Sequence, residues 1–109
     1  MHKGRSRGER MVLSMNIYIS GPMRGVYNYR EKFNRAEEFV KKYGFRVINP
    51  ANFKFSGMSR EEILHIDLSL LGMCNAIYML KGWKESCGAN REYGYAVAKK
   101  MLILYEKDD

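Results

Sequence analysis

The sequence is poor in the residues that most often announce a chemistry. Its 109 residues hold two cysteines, Cys74 and Cys87, and two histidines, His2 and His65. Two cysteines cannot build a disulfide framework, and these two carry no metal-ligand spacing, so neither a metal nor a cofactor is expected. A reducing cytoplasm is the expected compartment. Cys87 has no histidine to activate it, because His2 lies in the N-terminal segment and His65 faces outward on a helix; a thiol nucleophile is not expected. No apolar stretch reaches the roughly 18 residues of a membrane span. The basic N-terminus lacks the apolar core of a secretory signal. Internal repeats and low-complexity segments are absent.

What is present is an ordinary globular composition, 46% hydrophobic and 28% charged, enough for one domain with a shallow core. The net charge is +7. Residues 1–14 contribute +3 of it, four basic residues (Lys3, Arg5, Arg7, Arg10) against Glu9. This segment reads as a disordered basic tail or a remnant of cloning, followed by one domain over residues 15–109. So few tail charges bind nucleic acid weakly and without sequence readout, so no specific nucleic-acid partner is expected. The remaining charge on the body suits a small anionic ligand.

Strands and helices alternate along the body. Residues 16–20 (NIYIS), 45–49 (FRVIN), 76–80 (AIYML) and 101–105 (MLILY) are β-branched, aromatic or apolar runs, read as strands. Residues 29–43, 59–73 and 86–100 read as helices. Ser59 and Glu62 have the spacing of a capping box at the start of the second helix. The order β-α-β-α-β-α-β requires long crossovers, hence a parallel sheet with helices on both faces. Ligands of such sheets bind beyond the carboxyl ends of the strands, so the loops after Ser20, Asn49 and Leu80 are expected to share one rim.

Three stretches on that rim carry candidate chemistry. In "SGPMRG", residues 20–25, Gly21 and Gly25 permit close backbone approach and Arg24 supplies a permanent cation; a tight turn with a surface arginine is the plain alternative. Asp67 falls within the apolar stripe of Ile63, Ile66, Leu70 and Leu71. A buried carboxylate there needs a basic partner, a loop N–H, or a ligand to justify it, and burial raises its pKa toward that of a general acid or base. In "GWKESCGANREYGYA", residues 82–96, Ser86 and Gly88 open a helix whose first N–H groups suit an anion, although Ser86 also fits a simple N-cap. Glu92 follows one turn later, flanked by Ala89 and Ala96, which leave space beside the carboxylate. That is the setting of a nucleophile, with a surface pair to Arg91 or Lys99 as the alternative. Trp83 either stacks on a base or packs a subunit contact.

The segments "IYISGPMRG", "IDLSLLGMCNAIYML" and "GWKESCGANREYGYAVA", taken in that order over residues 16–105, resemble the nucleoside 2-deoxyribosyltransferase superfamily. The likeness extends to its small phage and bacterial members, and the 2'-deoxynucleoside 5'-monophosphate N-glycosidases are functional relatives. The resemblance implies a small Rossmann-like (flavodoxin-like) α/β three-layer sandwich with a four- to five-stranded parallel sheet. It implies a homodimer or higher homo-oligomer. Glu92 falls where the family has its nucleophile, which attacks C1' to form a glycosyl-enzyme intermediate, and Asp67 matches the aspartate that protonates the departing base. Tyr18 matches a pocket-lining aromatic residue. Gly21, Met23, Arg24 and Gly25 match the nucleotide-holding loop, and Ser86 and Gly88 the phosphate-contacting helix start. The loop "KGWKES" lacks the transferases' aspartate, and its lysines favour an anionic ligand. The function this implies is N-glycosidic bond hydrolysis or transfer on (deoxy)nucleoside monophosphates or related nucleotides. The alternative is a nucleotide-binding module without turnover.

Overall fold

A computed structural model describes residues 15–107; the expected tail, residues 1–14, lies outside the described residues. Four strands form the sheet: β1 (Asn16–Ser20), β2 (Arg46–Ile48), β3 (Ala76–Met79) and β4 (Leu102–Tyr105). Three helices connect them: α1 (Tyr29–Lys41), α2 (Arg60–Leu71) and α3 (Cys87–Ala98). Strand β1 coincides with its expected range, and every other element is a residue or more shorter than the sequence pattern implies, because ends fray where hydrogen-bond partners run out. Short 3-10 turns at Pro50–Asn52 and Trp83–Glu85 occupy loops after β2 and β3.

All strand pairs are parallel, in the order β2-β1-β3-β4. The register pairs Ile17 with Ala76 and Ser20 with Met79. From β1 the chain first steps outward to β2, then reverses to β3 and β4. With right-handed crossovers, that reversal puts α1 on one face and α2 with α3 on the other. The core divides accordingly. Ile17, Ile19 and Tyr78 pack with Phe33, Ala36 and Val40 of α1, while Tyr18, Ile77 and Met79 pack with Leu71, Ala89 and Ala96. This is a small Rossmann-like three-layer sandwich. The reversal of strand order between β1 and β3 creates a crevice at their carboxyl ends.

Two helices depart from their apolar patterns. Phe39 of α1 and Tyr43, just past its end, continue one apolar period yet stay exposed, packed edge-on against each other. Leu71 is the buried residue of α2, and Ile63 and Leu64 line a cavity rather than the core. The capping box of α2 forms: Ser59 Oγ accepts from the Glu62 N–H at 3.1 Å, and Glu62 accepts from the Ser59 N–H at 2.7 Å. Ser59→Ala is therefore expected to lower stability by about 1 kcal/mol, read as a lower urea midpoint with an unchanged m-value. Among the described residues no helix is long and apolar enough to cross a membrane.

Candidate active site

The strand period of two explains the floor of the site. Tyr18 and Ser20 lie two apart on β1, so both side chains point to the α3 side of the sheet. There they meet Glu92, which the α3 backbone brings over the sheet on a turn where Ala89 and Ala96 are small enough for close helix–sheet approach. The Tyr18 hydroxyl donates to Glu92 Oε2 at 2.7 Å, and the Ser20 hydroxyl donates to Oε1 at 2.6 Å. Glu92 is only 6% exposed, and Ser20 1%. Burial pushes the Glu92 carboxyl up from 4.5 to about 7; the Ser20 and Tyr18 hydroxyls act the other way, and the negative charge of Asp67 adds to the rise. Burial likewise carries the Tyr18 phenol well above its ordinary range, with Glu92 contributing, so it stays a donor at neutral pH.

Asp67 reaches the same space from α2. Among the described residues nothing hydrogen-bonds its buried Oδ1. Neither the basic partner nor the loop N–H that would justify a structural aspartate is found at that atom. Desolvation lifts its carboxyl to about 6. The alternatives for Glu92 are excluded by geometry: Arg91 pairs with Glu61 at 3.5 Å, and Lys99 lies over the Tyr95 ring. His65 is exposed, as is Cys87.

A cavity of about 540 Å³ opens above the two carboxylates, within the range of small-molecule sites. Seven of the residues singled out from sequence line it: Gly21, Met23, Arg24, Asp67, Ser86, Gly88 and Glu92. Two do not. Tyr18 is fully buried behind Glu92, so it holds the carboxylate instead of lining the pocket. Gly25 sits in the following turn at φ +77°, outside the cavity wall. Arg60, Glu85, Tyr29 and Phe33 also line the cavity; the sequence reading passed over them because three elements must fold together before they share a wall. Ser20 was missed as well, although its alternation with Tyr18 was a usable signal.

The loops at the mouth are locally determined. Gly82 takes φ +85°, a left-handed conformation that favours glycine, and a Cβ there would lie 3.4 Å from Pro22 Cγ, so the loops after β1 and β3 meet at this point. Asn90 Nδ2 donates to the carbonyls of Lys84 and Ser86, at 2.9 and 2.8 Å, which ties the 3-10 turn to α3. Ser86 is the N-cap, its Oγ accepting from the Ala89 N–H at 3.1 Å. The preceding N–H groups of the first turn have no intrahelical partner by position. Trp83 packs against Tyr93 at 4.5 Å between ring centroids with the planes tilted by 31°, which occupies one face of the indole. Gly21 packs so tightly that a Cβ would lie 2.8 Å from Leu80 Cβ, whereas one on Gly88 would meet nothing within 4 Å. Gly21→Ala is expected to cost about 1–3 kcal/mol by overpacking, with Gly88→Ala close to neutral, as measured by thermal melts of the two variants. Among the described residues, no three His, Cys, Asp or Glu side chains group to hold a metal ion.

The fold and the cavity define a Rossmann-like α/β domain with a buried glutamate and a half-buried aspartate lining the crevice at its switch point. The family model described as a domain of unknown function (DUF4406) matches residues 15–105, and the chain belongs to that family. No curated protein matches the sequence. Among solved structures the chain is similar to a 2-desoxiribosyltransferase from Leishmania mexicana, with a TM-score of 0.67 at 22% identity. The match covers 87% of this chain and 65% of that one, so this chain spans just under two thirds of that protein's length. The fold is nucleoside deoxyribosyltransferase-like.

Proposed function

We propose that the protein cleaves or transfers across the N-glycosidic bond of a (deoxy)nucleoside monophosphate or related nucleotide. The observation that carries this reading is the pairing of Glu92, clamped beneath the cavity, with the unpartnered oxygen of Asp67 on the same wall. In the first step Glu92 attacks C1' of the sugar, the C1'–N bond breaks, and the base departs with a proton from Asp67. In the second, Asp67 takes a proton from water or an incoming base, which displaces Glu92 from C1' and restores the free carboxylate. This is the two-step logic of retaining glycosidases. Arg24, Arg60 and the first-turn N–H groups of α3 favour a phosphate at the mouth. The similarity to a deoxyribosyltransferase supports a glycosyl-transfer chemistry in this fold.

The test is a panel of nucleoside monophosphates, with base release followed by chromatography and intact-protein mass followed for a sugar adduct on the α3 peptide. Base release with a trapped adduct on Glu92 is expected. No release and no adduct across the panel would remove the assignment. One observation favours a second reading, nucleotide binding without turnover: both Glu92 oxygens already accept hydrogen bonds from within the protein. Calorimetric binding of a nucleotide with no base released over days would select it.

A further inference from the structure

We propose that Ser20 is a positioning residue for Glu92, the second of two hydroxyl donors on β1 that fix the plane of the carboxylate beneath the cavity. The inference rests on the glycosyl-transfer reading for its catalytic consequence, but not for its geometry. Its neighbours on β1 and β3, Ile17, Ile19, Ile77 and Met79, are apolar and buried, as expected for a strand covered on both faces. A hydroxyl in that setting is costly unless it is bonded. The Ser20 hydroxyl makes a bond of 2.6 Å to a carboxylate oxygen, in the range of charge-assisted O–H···O⁻ contacts.

The two donors act on different atoms. Tyr18 holds Oε2 and Ser20 holds Oε1, so rotating the carboxylate about its last bond breaks both contacts. With Tyr18 alone, one contact instead of two would resist that rotation. Each carboxylate oxygen has two lone-pair sites, and each hydroxyl uses one, so one site on each oxygen remains for an electrophile. Ser20 therefore orients Glu92 without blocking it.

The same bond opposes the cost of burying a charge. The groups facing Glu92 are Tyr18 from β1 and Asp67 from α2, with Cys74 beside Tyr18; Arg24, Arg60, Glu85 and Cys87 share the cavity wall. Burial and Asp67 favour the protonated acid, and the two hydroxyls favour the carboxylate. Removing Ser20 shifts that balance toward the acid.

The experiment is a carboxyl carbon NMR titration of Glu92 in wild type, Ser20→Ala and Ser20→Thr, with circular dichroism melts to establish folding. Ser20→Ala is expected to move the Glu92 midpoint upward by about one pH unit, and Ser20→Thr to restore it. Base release by Ser20→Ala is expected to fall about tenfold at pH 6 and to recover relative to wild type by pH 9, with KM unchanged. A Glu92 midpoint identical in Ser20→Ala and wild type would overturn the proposal, and so would an activity loss that is equal at every pH. If wild type releases no base, the glycosyl-transfer reading fails while the titration still decides the role of Ser20. If Ser20→Ala does not fold, Ser20→Cys takes its place. Its thiol is a weaker donor, so a smaller upward displacement is expected and none would count against the clamp.

Discussion

Glu92→Gln is expected to lose base release by at least about 10³-fold and yet to be more stable than wild type at pH 8. The loss follows from removing the nucleophilic charge: an amide oxygen at the same place cannot form the glycosyl ester. The gain in stability has a separate cause. A carboxyl raised in the folded state binds its proton more tightly there than in the unfolded chain, so stability is full below the unfolded pKa and falls as pH rises through the folded one. For Glu92 that window runs from 4.5 to about 7, corresponding to roughly 3 kcal/mol lost by pH 8. Glutamine carries no such charge. Its oxygen accepts from one hydroxyl, and its amide donates to the other hydroxyl oxygen after a rotation of that O–H. Thermal melts at pH 8 and pH 4 check this: Gln is expected to melt several degrees higher at pH 8, with the difference closing at pH 4. Equal melting temperatures at pH 8 would mean that the buried charge is compensated by contacts other than Tyr18 and Ser20.

That conflict between stability and chemistry explains why Glu92 was legible in the sequence. An acidic residue between Ala89 and Ala96 has no business on a solvated helix face, and both alanines prove to be buried against the sheet. Asp67 was legible for the same reason, since its place in an apolar stripe contradicts its charge. The alternation of strand and helix was equally plain because crossover lengths leave parallel pairing as the workable answer. Contacts between distant segments were the part that composition and period do not encode. The Ser20–Glu92 bond joins residues 72 apart in the chain, and Ser20 reads from sequence only as the polar end of a strand. Arg60 reads as the first residue of a capped helix, and Glu85 as part of a lysine-bearing loop; both acquire a place on the cavity wall only when α2 and α3 converge. The partial burial of α2 was hidden for a related reason. Its apolar stripe reads as core, but Ile63 lines the cavity, as does Leu64 beside it. A helix lining a ligand site carries the same apolar period as one packed on a sheet.

The placement of Asp67 on the cavity wall leads to the second large effect. Asp67→Asn is expected to lower base release about 10²–10⁴-fold and to abolish the fall in rate on the alkaline side. The forward step needs Glu92 ionised and Asp67 protonated. Desolvation sets Asp67 at about 6 and Glu92 at about 7, so the productive arrangement is the less populated way of distributing one proton over the pair. Wild-type turnover should accordingly peak between pH 6 and 7. It falls in acid as Glu92 gains a proton and in alkali as Asp67 loses one. Asparagine has no proton to lose, so the variant's low rate should rise with pH and level off once Glu92 is ionised. A nucleotide whose base is alkylated at a ring nitrogen leaves as a neutral species without accepting a proton, and on that substrate the deficit of Asp67→Asn should largely disappear. Retention of a wild-type alkaline limb in the variant, or an equal deficit on both kinds of substrate, would show that the proton reaches the departing base from another group.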